Sequence, residues 1–233
     1  MMKKLLLGMS LVFLGAFLSA CGEDPNTEPI EERYFSILGD SYSTYRGYVS
    51  PETNDVWNYY DSIGVTSVEQ MWWHQLAETL GWTLEKNNSF SGSLVCNMNH
   101  ADYFGPHSFL RRMDDLGNPD IILIFGGTND MWDSAPMGEY VYYGWTEEEL
   151  CSFRPALACL FDGLHERYPG IELVFMVDTA LGEEFVQSVH TIADYYGVRC
   201  VDLVGIQKSW QHPSAEGMAT IAKQMAEALR ENV

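Results

Sequence analysis

From Tyr34 onwards, short apolar runs alternate along the chain with longer amphipathic stretches. The apolar runs predict β-strands, and the clearest is "PDIILIFGG", a continuous run of the kind found in strands that are covered on both faces. The amphipathic stretches predict helices. The predicted strands span residues 34–38, 82–86, 119–127, 171–178 and 198–204. The predicted helices span residues 67–81, 146–170, 183–196 and 214–230.

Capping patterns mark the starts of two of these helices. Ser67 is followed by Gln70, and Thr146 by Glu149, which is the spacing of a capping box. Pro155 predicts a kink in the helix that Thr146 opens. The alternation of strands and helices predicts an α/β fold with a mainly parallel sheet and helices on both faces. In such a sheet, ligands bind beyond the carboxyl ends of the strands.

The first 20 residues follow a different pattern. Lys3 and Lys4 precede an apolar run that is too short for a comfortable membrane span and that ends in "LSAC", residues 18–21. This segment resembles the signal peptide of a bacterial lipoprotein, which is cut before a cysteine that then carries the lipid, here Cys21. The alternative is an ordinary secretory signal in which Cys21 is incidental. Residues 21–32 are acidic and predict a flexible tether, so that the globular domain is expected at 33–233.

The predicted signal sets the expected location and redox state. A lipid on Cys21 would anchor the protein in the cell envelope, at the outer membrane, and the acidic residues after it resemble the surface-export signals of Bacteroidota lipoproteins. Export permits disulfides. Three complete pairings are possible for the four remaining cysteines, and free thiols are the alternative. These cysteines are Cys96, Cys151, Cys159 and Cys200.

The charge of the chain argues against two kinds of partner. The net charge is −20, and loss of Lys3 and Lys4 with the signal would make it −22. So acidic a surface repels phosphate backbones and anionic membranes, which argues against nucleic-acid binding and against a phospholipase. Membrane contact is therefore expected only through the lipid anchor.

Three polar motifs are predicted to meet at one edge of the sheet. Ser41 follows the first strand in "GDSYS", Asn129 follows the central strand in "GGTND", and His212 precedes the last helix in "QHPSAEGM". A hydroxyl nucleophile needs a neighbouring base, and a neutral imidazole suits that task near pH 7. The oxyanion that forms needs donors already directed at it, which an Asn129 amide and glycine N–H groups would supply.

These motifs, together with "NNSFSGS", resemble in order the four blocks of the SGNH (GDSL-type) hydrolases, over Gly39 to about Met218. The resemblance implies a flavodoxin-like three-layer α/β/α fold and the hydrolysis of esters, commonly acyl or acetyl groups on lipids and carbohydrates. It also implies roles for single residues. Ser41 would be the nucleophile, His212 the base, and the oxyanion hole would consist of the Ser41 N–H, the Gly92 N–H and the Asn129 side chain.

The sequence departs from this pattern three residues before His212, where the family usually has an aspartate and this chain has Ser209. One interpretation is a damaged triad. The other is a Ser–His dyad in which a backbone carbonyl near Ser209 orients the imidazole, or a carboxylate from elsewhere does so. Asp178 and Asp202 both follow strands at the same edge, and spacing does not favour either. A lost orienting carboxylate lowers the rate without abolishing it.

Other polar and aromatic residues are assigned structural roles. His100 and His107 match no metal-site spacing, and no cofactor is expected. Asp130 is expected to fix the turn beside Asn129. Aromatic residues outside the helices are candidates for a rim that binds sugar rings; they are Tyr45, Trp57, Tyr142, Tyr143 and Trp145.

Taken together, the sequence predicts an exported, lipid-anchored serine esterase that acts on a small-molecule or polysaccharide ester, with carbohydrate esters favoured. The hypothesis from a different class is a glycan-binding surface lipoprotein that retains the fold without turnover, and Ser209 motivates it.

Overall fold

A computed structural model describes residues 32–49, 60–98 and 107–230. The predicted signal peptide, the lipidation site Cys21, nearly all of the tether, and the residues Trp57 and His100 lie outside the described residues. Lipidation and export therefore remain predictions from sequence.

Five parallel strands form the central sheet, in the order β2-β1-β3-β4-β5. All five were predicted from the sequence, and the strand order is that of flavodoxin-like folds. The α/β fold class is thus confirmed. The strands are β1 Tyr34–Gly39, β2 Thr83–Ser89, β3 Ile121–Phe125, β4 Glu172–Asp178 and β5 Arg199–Leu203.

The central strand β3 shows why its sequence is continuously apolar. All five of its residues are buried, and successive side chains point to opposite faces of the sheet. Ile122 and Ile124 belong to the core on one face, and Ile121, Leu123 and Phe125 to the core on the other. Because both faces are covered, no position of β3 tolerates a polar side chain facing water.

Helices cover both faces of the sheet. Residues of α2 and α7 contribute to one core, and residues of α3, α5 and α6 to the other. None of the described helices is long and apolar enough to span a bilayer. The helices are α1 Tyr60–Ile63, α2 Trp72–Leu80, α3 Phe109–Arg112, α4 Thr128–Trp132, α5 Phe153–Arg167, α6 Glu183–Tyr196 and α7 Ala215–Arg230.

Both predicted capping boxes form, but each caps a short 3-10 turn instead of a long helix. Gln70 accepts from the N–H of Ser67 at the turn Val68–Gln70, and α2 begins only after an extended Met71. Thr146 and Glu149 bond each other in the same way before the turn Glu149–Cys151. The two predicted helices therefore start later than the sequence suggested.

The sequence predicts a kink at Pro155, but Pro155 does not interrupt a helix. It is the third residue of α5, in the first turn, where its missing N–H would have no helical partner in any case. The break in the predicted long helix lies before it, at the extended Ser152.

The predicted last strand is followed by two more. Lys208–Ser209 (β6) and His212–Pro213 (β7) pair antiparallel as a small hairpin, separate from the main sheet. His212 was expected in a loop and instead lies on a strand. Ser214 caps α7 as predicted, since its Oγ accepts from the N–H of Gly217 at 3.2 Å.

Candidate active site

Ser41 lies in a tight turn directly after β1, at the carboxyl edge of the sheet. Ser43 N–H donates to the carbonyl of Asp40 at 3.1 Å and closes the turn. Gly39 is required at the end of β1, because a Cβ there would lie 2.7 Å from Ser89 Oγ and 2.9 Å from Ser43 Oγ. Strand β1 therefore ends against β2 with no room for a side chain, and Ser41 is only 5% exposed.

His212 is placed by the β6–β7 hairpin. Ser209 pairs with His212 across the hairpin, and the two residues between them, Trp210 and Gln211, have φ values of 50° and 67°. A two-residue turn with positive φ at both positions matches the twist of the flanking strands. Such turns favour the sequence Asn-Gly. Trp210 and Gln211 therefore adopt a backbone conformation that residues of their types rarely adopt.

The two motifs meet as predicted, although they are far apart in sequence. Ser41 Oγ lies 3.1 Å from His212 Nε2, and His212 Nδ1 lies 3.1 Å from the carbonyl oxygen of Trp210. Because a carbonyl only accepts, Nδ1 carries the proton of the neutral ring and Nε2 is left as an acceptor towards Ser41. This is the arrangement that a hydroxyl and its general base require.

Burial governs the titration of His212. Loss of solvent lowers the pKa of the imidazole, the Trp210 carbonyl partly opposes this by raising it, and the Lys208 ammonium lowers it further. The neutral base therefore persists to lower pH than for an exposed histidine.

Ser209 occupies the position of the missing aspartate, and the Trp210 carbonyl next to it contacts Nδ1. Of the carboxylates considered from sequence, Asp178 pairs with Lys208 and accepts from the N–H of Ala180, and Asp202 contacts His190 Nε2 at 2.8 Å. Both acids thus have other partners. Of the alternatives, the described residues agree with a backbone carbonyl.

Tyr42 connects the two turns, a contact that the sequence analysis missed. Its hydroxyl donates to the carbonyl of Gln211 at 2.6 Å, and its ring lies edge-on to His212 with 5.5 Å between centroids. The Lys208 ammonium lies 5.3 Å from the centre of the same ring. A tyrosine in "GDSY", where the family name has leucine, was the available signal.

The oxyanion-hole candidates Gly92 and Asn129 lie on neighbouring loops that bond to each other. Asn129 Nδ2 donates to the carbonyl of Ser93 at 2.9 Å, which leaves its amide a second N–H. Gly92 has a φ of 75°, a conformation that favours glycine. The Gly92 and Asn129 positions are thus fixed relative to each other by one hydrogen bond.

Two buried ionic side chains support these loops. Asp130 accepts from the N–H groups of Val95 and Cys96 at 2.9 and 3.1 Å, which agrees with the structural role expected for it. Arg112 donates to backbone carbonyls of Asn88 and Gly39, at the ends of β2 and β1. Its guanidinium also donates to Ser93 Oγ at 2.9 Å, and burial lowers its pKa to about 9.

Asp40, beside Ser41, is fully buried. One carboxyl oxygen accepts from the N–H of Tyr42 at 2.9 Å, and the other has no hydrogen-bond partner among the described residues. Burial raises the pKa of Asp40 to about 7, with the Tyr42 N–H acting in the opposite direction. This carboxyl is therefore poorly compensated when it is ionised.

The predicted aromatic rim is described only in part, since Trp57 lies outside the described residues. Tyr142 stacks on Tyr195 with 4.1 Å between ring centroids, near the end of α6. Helix α6 begins at Glu183, just beyond the carboxyl end of β4. Since a helix rises 1.5 Å per residue, Tyr195 lies about 18 Å along α6 from Glu183. The aromatic side chain beside the site is instead Trp132, whose ring centroid is 5.8 Å from that of His212.

Neither disulfides nor a metal cluster occurs in the described part of the chain. The cysteines Cys96, Cys151, Cys159 and Cys200 are free thiols. No group of three histidine, cysteine or acidic side chains among the described residues is arranged to bind a metal ion. His107 stacks on Phe90 with 3.9 Å between centroids, and burial lowers its pKa.

The comparisons with known proteins agree with the fold. The sequence model of the GDSL-like lipase/acylhydrolases matches residues 33–229. Two crystal structures described as GDSL-like lipases are similar to the chain. The one from Bacteroides ovatus is 46% identical with a TM-score of 0.82, and the match covers 86% of this chain and 99% of that one. The one from Bacteroides uniformis is 42% identical with a TM-score of 0.81, covering 86% and 96%.

The chain therefore belongs to the GDSL-like lipase/acylhydrolase family, whose members hydrolyse ester bonds. A carbohydrate acetylesterase from Sinorhizobium meliloti shares the fold at 16% identity, with a TM-score of 0.56 and coverage of 87% and 100%. A search among curated proteins gave no match.

Proposed function

We propose that the protein is a serine ester hydrolase that removes acyl groups, in particular acetyl groups, from carbohydrate esters. Ser41 is the nucleophile and His212 the general base. The observation that carries this proposal is the 3.1 Å contact between Ser41 Oγ and His212 Nε2, with the opposite ring nitrogen at the Trp210 carbonyl.

In the first half of the reaction, Ser41 Oγ attacks the ester carbonyl carbon while its proton passes to His212 Nε2. The imidazolium that forms is stabilised by the Trp210 carbonyl at Nδ1, which here takes the place of an aspartate. The tetrahedral intermediate collapses when Nε2 gives its proton to the leaving alcohol oxygen. The alcohol departs, and the acyl group remains on Ser41.

In the second half, a water molecule replaces the alcohol. His212 removes its proton, the hydroxide attacks the acyl carbon, and Ser41 Oγ leaves with the proton that Nε2 returns. The same imidazole thus serves both halves, which requires only that it be neutral at the start of each.

The oxyanion of both tetrahedral intermediates accepts hydrogen bonds from the Ser41 N–H, the Gly92 N–H and the second amide proton of Asn129. Donors fixed before the reaction stabilise this charge without reorganising, so the hydrogen bond that joins Asn129 to Ser93 has a direct role. It keeps the amide orientation constant.

Labelling with a fluorophosphonate tests the nucleophile. We expect the probe to react with Ser41 and with no other serine, because Ser43 is fully buried and its Oγ accepts from Trp72 Nε1 at 3.2 Å. Ser41→Ala should remove the label, His212→Ala should nearly abolish it, and Ser43→Ala is the matched control that should keep it.

Turnover of a 4-nitrophenyl acetate tests the oxyanion hole. Asn129→Ala should raise the barrier by about 2.7–4 kcal/mol, the usual scale for one donor, with a smaller effect on binding. If folded wild type neither labels nor turns over any ester from pH 6 to 9 and yet binds glycans, the esterase proposal fails. The non-catalytic glycan-binding alternative would then replace it.

A further inference from the structure

Trp132 is a large exposed aromatic residue in contact with the proposed base. It is the last residue of α4, one helical turn after Asn129, so the two side chains share a helix face. Its ring centroid is 5.8 Å from that of His212 and 6.3 Å from that of Tyr42, and 38% of the residue is exposed. An exposed indole at a site of chemistry offers apolar area to a ligand.

The proposed mechanism determines which half of the substrate lies near this ring. The leaving alcohol oxygen takes its proton from His212 Nε2, so it must come within hydrogen-bond distance of that nitrogen. The carbonyl oxygen of the same ester is directed at Asn129. Because Trp132 lies against the imidazole that protonates the alcohol oxygen, the alcohol half of the ester is within reach of the indole.

The chemistry of the indole selects the kind of alcohol. It offers a flat apolar face and one N–H at its edge, beside the imidazole of His212. A pyranose ring has a matching character, with an apolar face of C–H groups and a rim of hydroxyls. Binding sites of this kind combine aromatic walls with a few polar groups that fix orientation.

We infer that Trp132 forms a subsite that binds the pyranose ring of an acylated sugar, on the leaving-group side of His212. This inference rests on the proposed function, because the mechanism identifies the half of the substrate that faces the ring. Trp132 would contact substrate directly, in addition to its contact with His212.

Two acetyl esters separate this role from general catalysis. An O-acetylated methyl xylopyranoside and ethyl acetate deliver the same acyl group, so they differ only in the alcohol. Comparing the ratio of their kcat/KM values between variants cancels the difference in leaving-group reactivity. In Trp132→Ala we expect this ratio to fall about tenfold, and in Trp132→Phe less, because one aromatic contact is lost or reduced.

Tyr195→Ala is the matched control. Tyr195 is also an exposed aromatic residue, at 57%, but it lies near the far end of α6 from the site. Its removal should leave the ratio at the wild-type value, which would show that loss of surface aromatic area alone is without effect.

Two results would overturn the subsite while leaving the esterase intact. Equal losses for both esters in Trp132→Ala, with a shifted pH profile, would mean that Trp132 acts only by positioning His212. Unchanged kcat/KM values for both esters would place the sugar elsewhere.

Failure of the esterase itself is recognised separately, since wild type would then hydrolyse neither ester and would not react with the fluorophosphonate. In that case calorimetric titration with the same acetylated glycoside tests whether Trp132 binds the sugar. Weaker binding to Trp132→Ala than to wild type would support the subsite, and the absence of binding to wild type would refute it.

Discussion

Ser41 and His212 are both placed by turns, but the two turns are stabilised in different ways. The turn after β1 is buried and continues the core, with Gly39 packed against the side chains of Ser89 and Ser43. The β6–β7 turn is exposed, with Trp210 82% accessible, and it contacts the domain through the Tyr42 hydroxyl and the Lys208–Asp178 ion pair. The proposed nucleophile is thus fixed by packing, and the hairpin that carries the proposed base is held by a few polar contacts. Substitutions at the two turns should therefore affect different properties.

The largest effect is expected at the buried turn. In Gly39→Ala, a Cβ 2.7 Å from Ser89 Oγ should lower the free energy of unfolding by about 1–3 kcal/mol, as overpacking does. Urea denaturation measures the change. Adding Ser89→Ala removes the closest atom and should recover part of the loss; no recovery would mean that the strain has another source.

Loss of the hydrogen bond between Tyr42 and the hairpin should affect rate more than stability. Tyr42→Phe removes the hydroxyl that binds the Gln211 carbonyl, which is worth about 0.5–1.5 kcal/mol, and kcat should fall up to about tenfold with little change in KM. Tyr168→Phe is a suitable control, because that hydroxyl also bonds a backbone group, the N–H of Leu116, away from the site. If both variants lost stability but kept kcat, Tyr42 would be structural only.

The turn sequence itself should be improvable. Trp210→Asn combined with Gln211→Gly places residues that favour positive φ in the β6–β7 turn, and should raise the free energy of unfolding by about 1 kcal/mol. Thermal and urea unfolding provide the measurement. A loss of stability would show that the Trp210 side chain contributes more than its backbone conformation costs.

The smallest expected effect concerns the Lys208–Asp178 ion pair of the hairpin and the pH profile. Lys208 lowers the pKa of His212, so removing its charge should raise that pKa and move the acid limb of kcat/KM to higher pH. Lys208→Gln should be combined with Asp178→Asn, so that no buried carboxylate is left unpaired. A limb that stays in place would mean that another group sets it.

Sequence patterns predicted the parts of the molecule that depend on neighbours along the chain. Strands β1, β3 and β4 are largely apolar runs, and Ser41 follows β1 in a turn of Gly, Asp and Ser, the residues that such turns favour. The hairpin could not be found in this way. Its strands are two residues each, too short for periodicity, and Trp210-Gln211 carries no turn signal.

The remaining errors have equally physical causes. A capping box satisfies the first N–H groups of a 3-10 turn as well as those of an α-helix, so it did not reveal that α2 and α5 begin later. The carbonyl of Trp210 that contacts His212 belongs to the backbone, so no residue type in the sequence predicts it. The contact of Trp132 with His212 is tertiary, although its spacing of three from Asn129 was visible.

Asp40 links the protonation of the core to the folding equilibrium. Its pKa of about 7 in the folded chain lies above the ordinary aspartate value of 3.8, so between these values the folded state binds the proton more tightly. Its contribution to stability is present below the unfolded pKa and is lost as pH rises towards 7. The contribution of Asp40 to the free energy of unfolding therefore favours acid, whereas the proposed hydrolysis needs a deprotonated His212. Asp40→Asn would make stability less dependent on pH, and this single carboxyl and the proposed activity therefore favour different pH values.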